Sequence, residues 1–552
     1  MQKYVLFGLL ILGMACHTDR PQTSSIQSQF HTLIDQFPSS RGWGQTAGTA
    51  TLDSNYFFNQ LAQTQDLLQQ LLAVDTALLN DEDKIDWRFA RSLLYGRVID
   101  QSLIQNWRKD PREYLTLRGI GSVLGRPGEL EPKITELKKM LAIVPQQLKN
   151  AQAQLAVYVP RFQELGLFMA ENGRILFTEE IPAFVTEHKI SDNELETLID
   201  NSKHALEGFI VFLKNELPQR PSGTYAIGQA SYDRMLKEEF LLPYDHQALW
   251  DFGWQEFNRT VDELTALAKQ IDPSKSWQDL AQEIKQEYPR PDSMIAAHQY
   301  WVDKAAEHIR QHDLIAIPWA EKVTVVPRAE YLRKTSYYGN FSLARGKNAD
   351  SVFASEWQIN PFEDQWEDQR KQEYLTEHDW GVIIVTAPHE TYAGHHIQGL
   401  YQMHLPSKLR RENGLSLFSE GWGLYNEQLM QETGFFPSER IHLRQLQLRL
   451  WRNARVIYDV GMHTGKLSYA EAIALMTDKV GFLPWAAQLE VDAACASPGY
   501  FIGYFMGMTE ILKLREAYKQ KHGNQFKLKD FHEALLKIGN MPPTLMGEVL
   551  LR

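Results

Sequence analysis

The sequence predicts a mainly α protein, a large two-lobed helical body that carries one small β-sheet. Three observations predict it. Apolar residues recur at helical spacing along most of the chain, β-branched alternating text is confined to two stretches, and no internal repeat or long low-complexity linker divides the chain. Over 552 residues, 43% hydrophobic and 11% aromatic content supports a large buried core and excludes a disordered chain. Lys and Arg total 57 against 69 Asp and Glu, a net charge of −12, which argues against a nucleic-acid partner. With only two cysteines, Cys16 and Cys495, a disulfide framework is excluded.

The chain starts MQKYVLFGLLILGMACHTDR, with Lys3 ahead of an apolar run from Tyr4 to Ala15. That run has the length of a signal-peptide core and is too short to span a membrane as a helix. Ala15 before Cys16 is similar to a bacterial lipoprotein signal, in which the Cys is lipidated. Gly13 and Met14 depart from that pattern, and Leu12 sits one place early, so an ordinary cleaved signal peptide is the alternative. Residues 1–16 are therefore expected to be a signal, 17–28 a polar tether, and 29–552 one large unit. No later stretch reaches the about 18 uninterrupted apolar residues of a membrane span. The expected location is the bacterial cell envelope, with the membrane reached only through the lipid anchor.

Within that unit, amphipathic patterns predict helices over roughly 55–73, 134–158, 248–271, 440–460 and 508–520, with Pro145 expected to kink or break the second. Between Ser191 and Leu217 the residues Leu195, Leu198, Ile199, Leu206, Phe209, Ile210 and Leu213 keep helical spacing. Ser191 with Glu194 reads as a capping box, and Pro218 as the stop. Lys322 to Val326 and Ser351 to Asn360 read as strands. Breaks at Arg220 to Gly228 and Tyr288 to Asp292 suggest an N-terminal lobe of about 29–225 and a C-terminal lobe of about 226–552.

The densest group of metal-ligand types is Pro388-His389-Glu390-Thr391-Tyr392-Ala393-Gly394-His395-His396. Imidazole is a favoured zinc ligand, and a neighbouring Glu can serve as a base. The plain alternative is a hydrogen-bonded core cluster. In a straight HExxH helix the two His lie one turn apart on one face. Here the spacing is longer. On an ideal helix His395 would lie about 9 Å along and about 120° round from His389, and His396 about 10.5 Å away on the same face. Neither could share an ion with His389, so the chain must bulge or break, and Gly394 beside Ala393 is the expected place. In helical zinc peptidases the second His often follows Gly. That favours His395 as ligand and leaves His396 for support or substrate, with His396 as the alternative ligand.

A third ligand is expected from the segment Leu417-Phe418-Ser419-Glu420-Gly421-Trp422-Gly423-Leu424-Tyr425-Asn426-Glu427, where Glu420 and Glu427 lie two turns apart on one face. Gly421 and Gly423 permit close helix approach beside Glu420, and Glu427 could fix a ligand His in its tautomer. Solvated helix carboxylates are the alternative.

HETYAGHHIQ, SEGWGLYNEQL, RNARVIYDVGMHTGKLSYAEAIALM, EVDAACASPGYFIGYFMG and FHEALLKIGNMPP together resemble the bacterial family catalogued as domain of unknown function 885. IGQASYDRML and SEWQINP extend the resemblance, which covers roughly residues 30 to 552. The family usually has Pro where this chain has Ala393 and another residue at Tyr500. Gly394 and both His are kept. The family is regarded as similar to helical gluzincin-type zinc peptidases, whose ligands are two His and a Glu. The resemblance implies a metallopeptidase-like body with the small sheet near the active-site helix.

On that basis His389, His395 and Glu420 are expected to bind one Zn²⁺, although the same ligands admit Mn²⁺ or Co²⁺. Glu390 is the expected base toward a peptide substrate. Tyr500 and Tyr504 resemble the segment that supplies a phenol to the oxyanion, with core tyrosines as the alternative. His463 could donate to the same charge or be a satisfied loop histidine. Arg452 and Arg455, near Asp459, could bind a peptide carboxylate or form structural ion pairs. The strand around Trp357 to Asn360 could add a peptide as a further strand. The rival functions are a metal-dependent amidase or hydrolase on another envelope substrate, and a non-catalytic peptide-binding lipoprotein.

Overall fold

The computed structural model describes residues 20–39, 50–125, 129–328, 339–344, 346–348 and 350–552. The signal segment with Cys16 lies outside them, as do residues 17–19 of the expected tether. From Arg20 the chain is a helix, Arg20–Asp35, and not a tether. Its continuation buries Phe30, Leu33, Ile34 and Phe37, an apolar stripe at helical spacing that the polar residues before it obscure in the sequence.

The body is mainly α. The predicted amphipathic spans form the helices Ser54–Leu72, Leu130–Gln154, His246–Ile271, Glu439–Thr464 and Ile502–His522. Pro145 sits inside Leu130–Gln154, which runs through it. The helix expected from Ser191 spans Asn193–Asn215 and is capped by Asp192, whose carboxylate accepts from the N–H groups of Glu194 and Leu195, both at 3.0 Å. The capping box does not form because Glu194 turns outward to Lys138 at 2.7 Å. No helix among the described residues is long and apolar enough to cross a membrane.

Among the described residues, one sheet holds β1 (Glu321–Pro327), β2 (Gly339–Ser342) and β3 (Phe353–Ile359) in the order β1-β3-β2. β1 runs parallel to β3, with Glu321 opposite Phe353, and β2 runs antiparallel to it, with Phe341 opposite Trp357. Phe353, Ser355, Trp357 and Ile359 alternate into the core, as the period-2 text required. The two-residue alternation cannot reveal β2, because Gly-Asn-Phe-Ser is too short and carries no β-branched residue.

Three apolar cores replace the expected division at 225. One core joins Phe30 to Ile104 with Tyr232 to Leu550, and a second joins Val159 and Phe162 to residues between Phe257 and Phe501. The third holds Leu52 and Trp107 to Leu217 alone. The separate lobe is thus shorter than predicted, because the helices Arg20–Asp35 and Asp81–Ile99 pack into the main body.

Candidate metal centre

The motif helix Trp380–Glu390 is built to be buried. Its run Gly381 to Val385 lies in the core, and its N-cap Asp379 accepts from the Val382 N–H at 3.0 Å while pairing with Arg444 at 2.8 Å. This helix delivers His389 and Glu390 at its last turn. Thr391 then closes it, both its N–H and its hydroxyl donating to the Ala387 carbonyl, at 3.0 and 2.6 Å. Four residues later a new helix, His395–Met403, begins. The Gly394 N–H donates back to the Pro388 carbonyl at 3.0 Å, and a Cβ on Gly394 would lie 1.7 Å from the His389 carbonyl oxygen. Only glycine permits that approach. Trp422 adds a hold, its indole N–H donating to the Ala393 carbonyl at 2.8 Å.

This reversal brings the rings of His389 and His395 to a centroid distance of 4.9 Å, at right angles. Ligand-capable atoms of His389, Glu390 and His395 all lie within 4.8 Å of one another. The glycine-rich helix Ser416–Glu432 supplies the opposite wall. There, Oε2 of Glu420 stands 3.7 Å from Nε2 of His389 and 3.5 Å from Nε2 of His395. Of the three carboxylates near the rings, Glu420 faces both Nε2 atoms from a separate element, Glu390 follows His389 directly in the chain, and Glu427 meets the far side of His389. Glu427, two turns further along the same helix, accepts from Nδ1 of His389 at 2.9 Å and is fully buried.

Two glycines set this wall. A Cβ on Gly423 would lie 2.6 Å from Cε1 of His389, so the ring packs flat on the bare helix. Gly421 meets Gly507 of the helix Ile502–His522, where a Cβ on Gly507 would reach 1.8 Å from the Leu417 carbonyl oxygen. The close crossing brings in the tyrosines. Tyr500 donates to Oε1 of Glu420 at 2.9 Å, and the Tyr504 ring lies 6.3 Å from His389. Asp459 fixes the turn that carries Tyr500, accepting from the N–H groups of Gly499 at 2.9 Å and Phe501 at 3.1 Å.

The donor set fits a divalent ion such as zinc. With metal bonds of about 2.0–2.2 Å, neighbouring ligands of a tetrahedral ion stand about 3.3–3.6 Å apart. The distances from Glu420 to the two rings are close to that separation and are too long for good hydrogen bonds. Burial works against charge on His389, yet Glu420, Glu427 and Glu390 outweigh it and push the ring up to about 9. Burial likewise opposes the Glu420 carboxylate, and the two His rings overcome it to hold it well below its usual range. Tyr504 is raised well above the usual phenol value by burial and by Glu420.

The remaining candidates fall elsewhere. His396 does not face the cluster. Its Nδ1 meets the Ser355 hydroxyl at 3.0 Å and its Nε2 meets Glu321 at 2.8 Å, so it ties the connector to the sheet and is not the alternative ligand. Adjacent residues on a helix point about 100° apart, and His395 takes the facing position. Tyr392 donates to the same Glu321 carboxylate. His463 does not reach the site either: its Nε2 donates to the Ala494 carbonyl at 2.9 Å, inside the second core. Burial lowers that ring to about 4. Arg455 lines the cleft, paired with Glu490 at 2.9 Å and stacked 4.2 Å from the Tyr504 ring, and it does not pair with Asp459.

A cleft of about 740 Å³ opens over the cluster. β3 cannot accept an added strand, because β1 and β2 pair with both of its edges. The outer strand on the cleft side, among the described residues, is β2, and Gly339, Asn340 and Phe341 line the cavity. Sequence reasoning missed β2 and the cleft-wall residues Trp451 and Glu490, which no spacing pattern marks.

The fold and the cluster define a helical protein with a partly buried two-histidine, two-glutamate centre under a cleft. The chain belongs to the family described as bacterial protein of unknown function (DUF885), whose profile matches residues 41–550. Its fold is similar to that of a candidate lipoprotein of unknown function from Shewanella oneidensis, at a TM-score of 0.77 and 19% identity over 96% of this chain and 99% of that one. It is also similar to a candidate lipoprotein from Colwellia psychrerythraea, at a TM-score of 0.74 and 16% identity over 96% of each chain. At these identities the likeness is one of fold. No curated protein matches the sequence.

Proposed function

We propose that the protein is a zinc-dependent peptidase of the bacterial cell envelope. The observation that carries this reading is the convergence of Nε2 of His389, Nε2 of His395 and Oε2 of Glu420 at ligand-to-ligand spacing, with Glu427 holding the far nitrogen of His389. The three would bind the ion. Zinc, when bound, supplies an acidified water and a polarised carbonyl. Glu390, next to His389 and at the cleft, takes the proton of the attacking water and returns it to the leaving amine. A phenol of the Tyr500 and Tyr504 pair donates to the developing oxyanion. Both stay protonated at neutral pH, since burial and the Glu420 carboxylate raise them.

β2 at the cavity rim offers backbone groups to an extended peptide, the substrate form expected for such a site. The apolar leader ending at Cys16 supports a lipid anchor, and the description of both similar structures as candidate lipoproteins supports the same location. The test is to purify the chain without its leader, count bound metal and assay a mixed peptide library. One zinc per chain with chelator-sensitive cleavage is expected. Metal without peptide cleavage, but with hydrolysis of another amide, would move the reading to an amidase.

A further inference from the structure

Among the described residues, four Lys and Arg side chains line the cleft: Lys285, Arg444, Arg452 and Arg455. Three are neutralised at hydrogen-bond distance, Lys285 by Glu377 at 3.0 Å, Arg444 by Asp379 at 2.8 Å and Arg455 by Glu490 at 2.9 Å. Arg452 is not. Its guanidinium stands 3.5 Å from Oε1 of Glu427, and that oxygen already accepts from His389 at 2.9 Å. One Nη donates to the Leu448 carbonyl at 3.2 Å, while Nε has no partner in a residue only 4% exposed. A buried cation with incomplete compensation is costly, and a bound anion relieves that cost.

The surroundings say what kind of anion. The Arg452 guanidinium lies 3.9 Å from the Trp451 ring, which fixes its plane for a carboxylate. Trp451 packs on Phe482 at 5.0 Å, and Leu448, Phe482 and the exposed Leu489 line the same stretch of cleft. Arg452 is also only one carboxylate away from His389, since Glu427 faces both. A charged group beside an apolar wall, a short distance from the reacting centre, matches the end residue of a peptide. Granting the peptidase chemistry proposed above, we infer that Arg452 recognises a carboxylate of the substrate, supplied by a free C-terminus or by an acidic side chain close to the bond that is cut.

The test uses binding to the metal-free chain, so its outcome is separate from catalysis. Calorimetry compares N-acetyl-Ala-Leu, its C-terminal amide, and N-acetyl-Ala-Glu with its side-chain and C-terminal carboxylates replaced in turn by amides. A ligand bearing the recognised carboxylate should bind at least about 10-fold tighter than the neutral amide, and the identity of that ligand tells a free C-terminus from a side chain. Arg452→Gln should abolish the preference and Arg452→Lys should keep part of it. Equal affinity of all ligands for the wild-type chain, including affinity too weak to detect, overturns the inference, as does a preference that survives in Arg452→Gln. Failure of the peptidase reading would show differently, as a metal-loaded chain that cleaves no peptide.

Discussion

Nδ1 of His389 donates a 2.9 Å hydrogen bond to Oε1 of Glu427, and this leaves Nε2 as the nitrogen directed at Glu420 and His395. Metal-binding imidazoles are commonly oriented by such a partner, and losing it costs about 10–100-fold in metal affinity. Glu427→Gln should therefore weaken zinc binding by about that factor while leaving the ligands in place. Competition against a coloured chelator reads it directly, and unchanged affinity would remove Glu427 from its supporting role.

Gly423 and Gly507 should tolerate no side chain, for different reasons. A Cβ on Gly423 meets the His389 ring at 2.6 Å, whereas one on Gly507 meets the Leu417 carbonyl at 1.8 Å. Gly423→Ala is expected to displace the ring and weaken metal binding more than it lowers Tm. Gly507→Ala should push two helices apart and cost on the order of 3 kcal/mol or more of stability. Thermal melts with and without zinc separate the two effects.

Zinc itself should stabilise the fold. An ion that binds only the folded chain adds about 2.7 kcal/mol at 100 times its dissociation constant. A rise in Tm on adding zinc to chelator-treated protein, absent in a His389→Ala, His395→Ala double variant, is the expected outcome. A rise of equal size in both proteins would locate the binding elsewhere.

Four buried histidines should resist protonation on mild acidification and lose stability through it. Burial lowers His298 to about 3 and His378, His463 and His532 to about 4. The unfolded rings take up protons near 6.5 and the folded rings do not. Each contribution is thus fully present above about 6.5 and is lost as the pH falls from there toward the folded values, on the order of 3–5 kcal/mol per ring over that whole range. Proton NMR titration of the folded chain should show these four rings staying neutral from pH 7.5 down to 5.0, and a ring that titrates near 6.5 would contradict its buried neutral state.

The centre was legible in the sequence where local geometry forces it. The long interval between His389 and His395 cannot fit a straight helix, and Gly394 marks the reversal because its Cβ would strike the His389 carbonyl. Gly421 and Gly423 likewise announced a close wall. What the sequence does not display is the relation between distant elements. β2 is four residues with no strand signature, yet it forms the cleft rim. His463 and His396 have the right side chain for the site, but helix phase sends the first to the Ala494 carbonyl and the second to Glu321. The first helix hid behind its polar start, since the residues that dock it, Phe30 to Phe37, lie beyond the expected tether.

The central claim is that Glu390 moves the proton in a metal-dependent peptide hydrolysis, and Glu390→Gln tests it most directly. Wild-type and variant chains, each loaded with zinc and matched for metal content, are assayed on the same peptide library. The account predicts cleavage by the wild type and a loss of about 10²–10⁴-fold in the variant at unchanged metal stoichiometry. Equal cleavage by both proteins would contradict it.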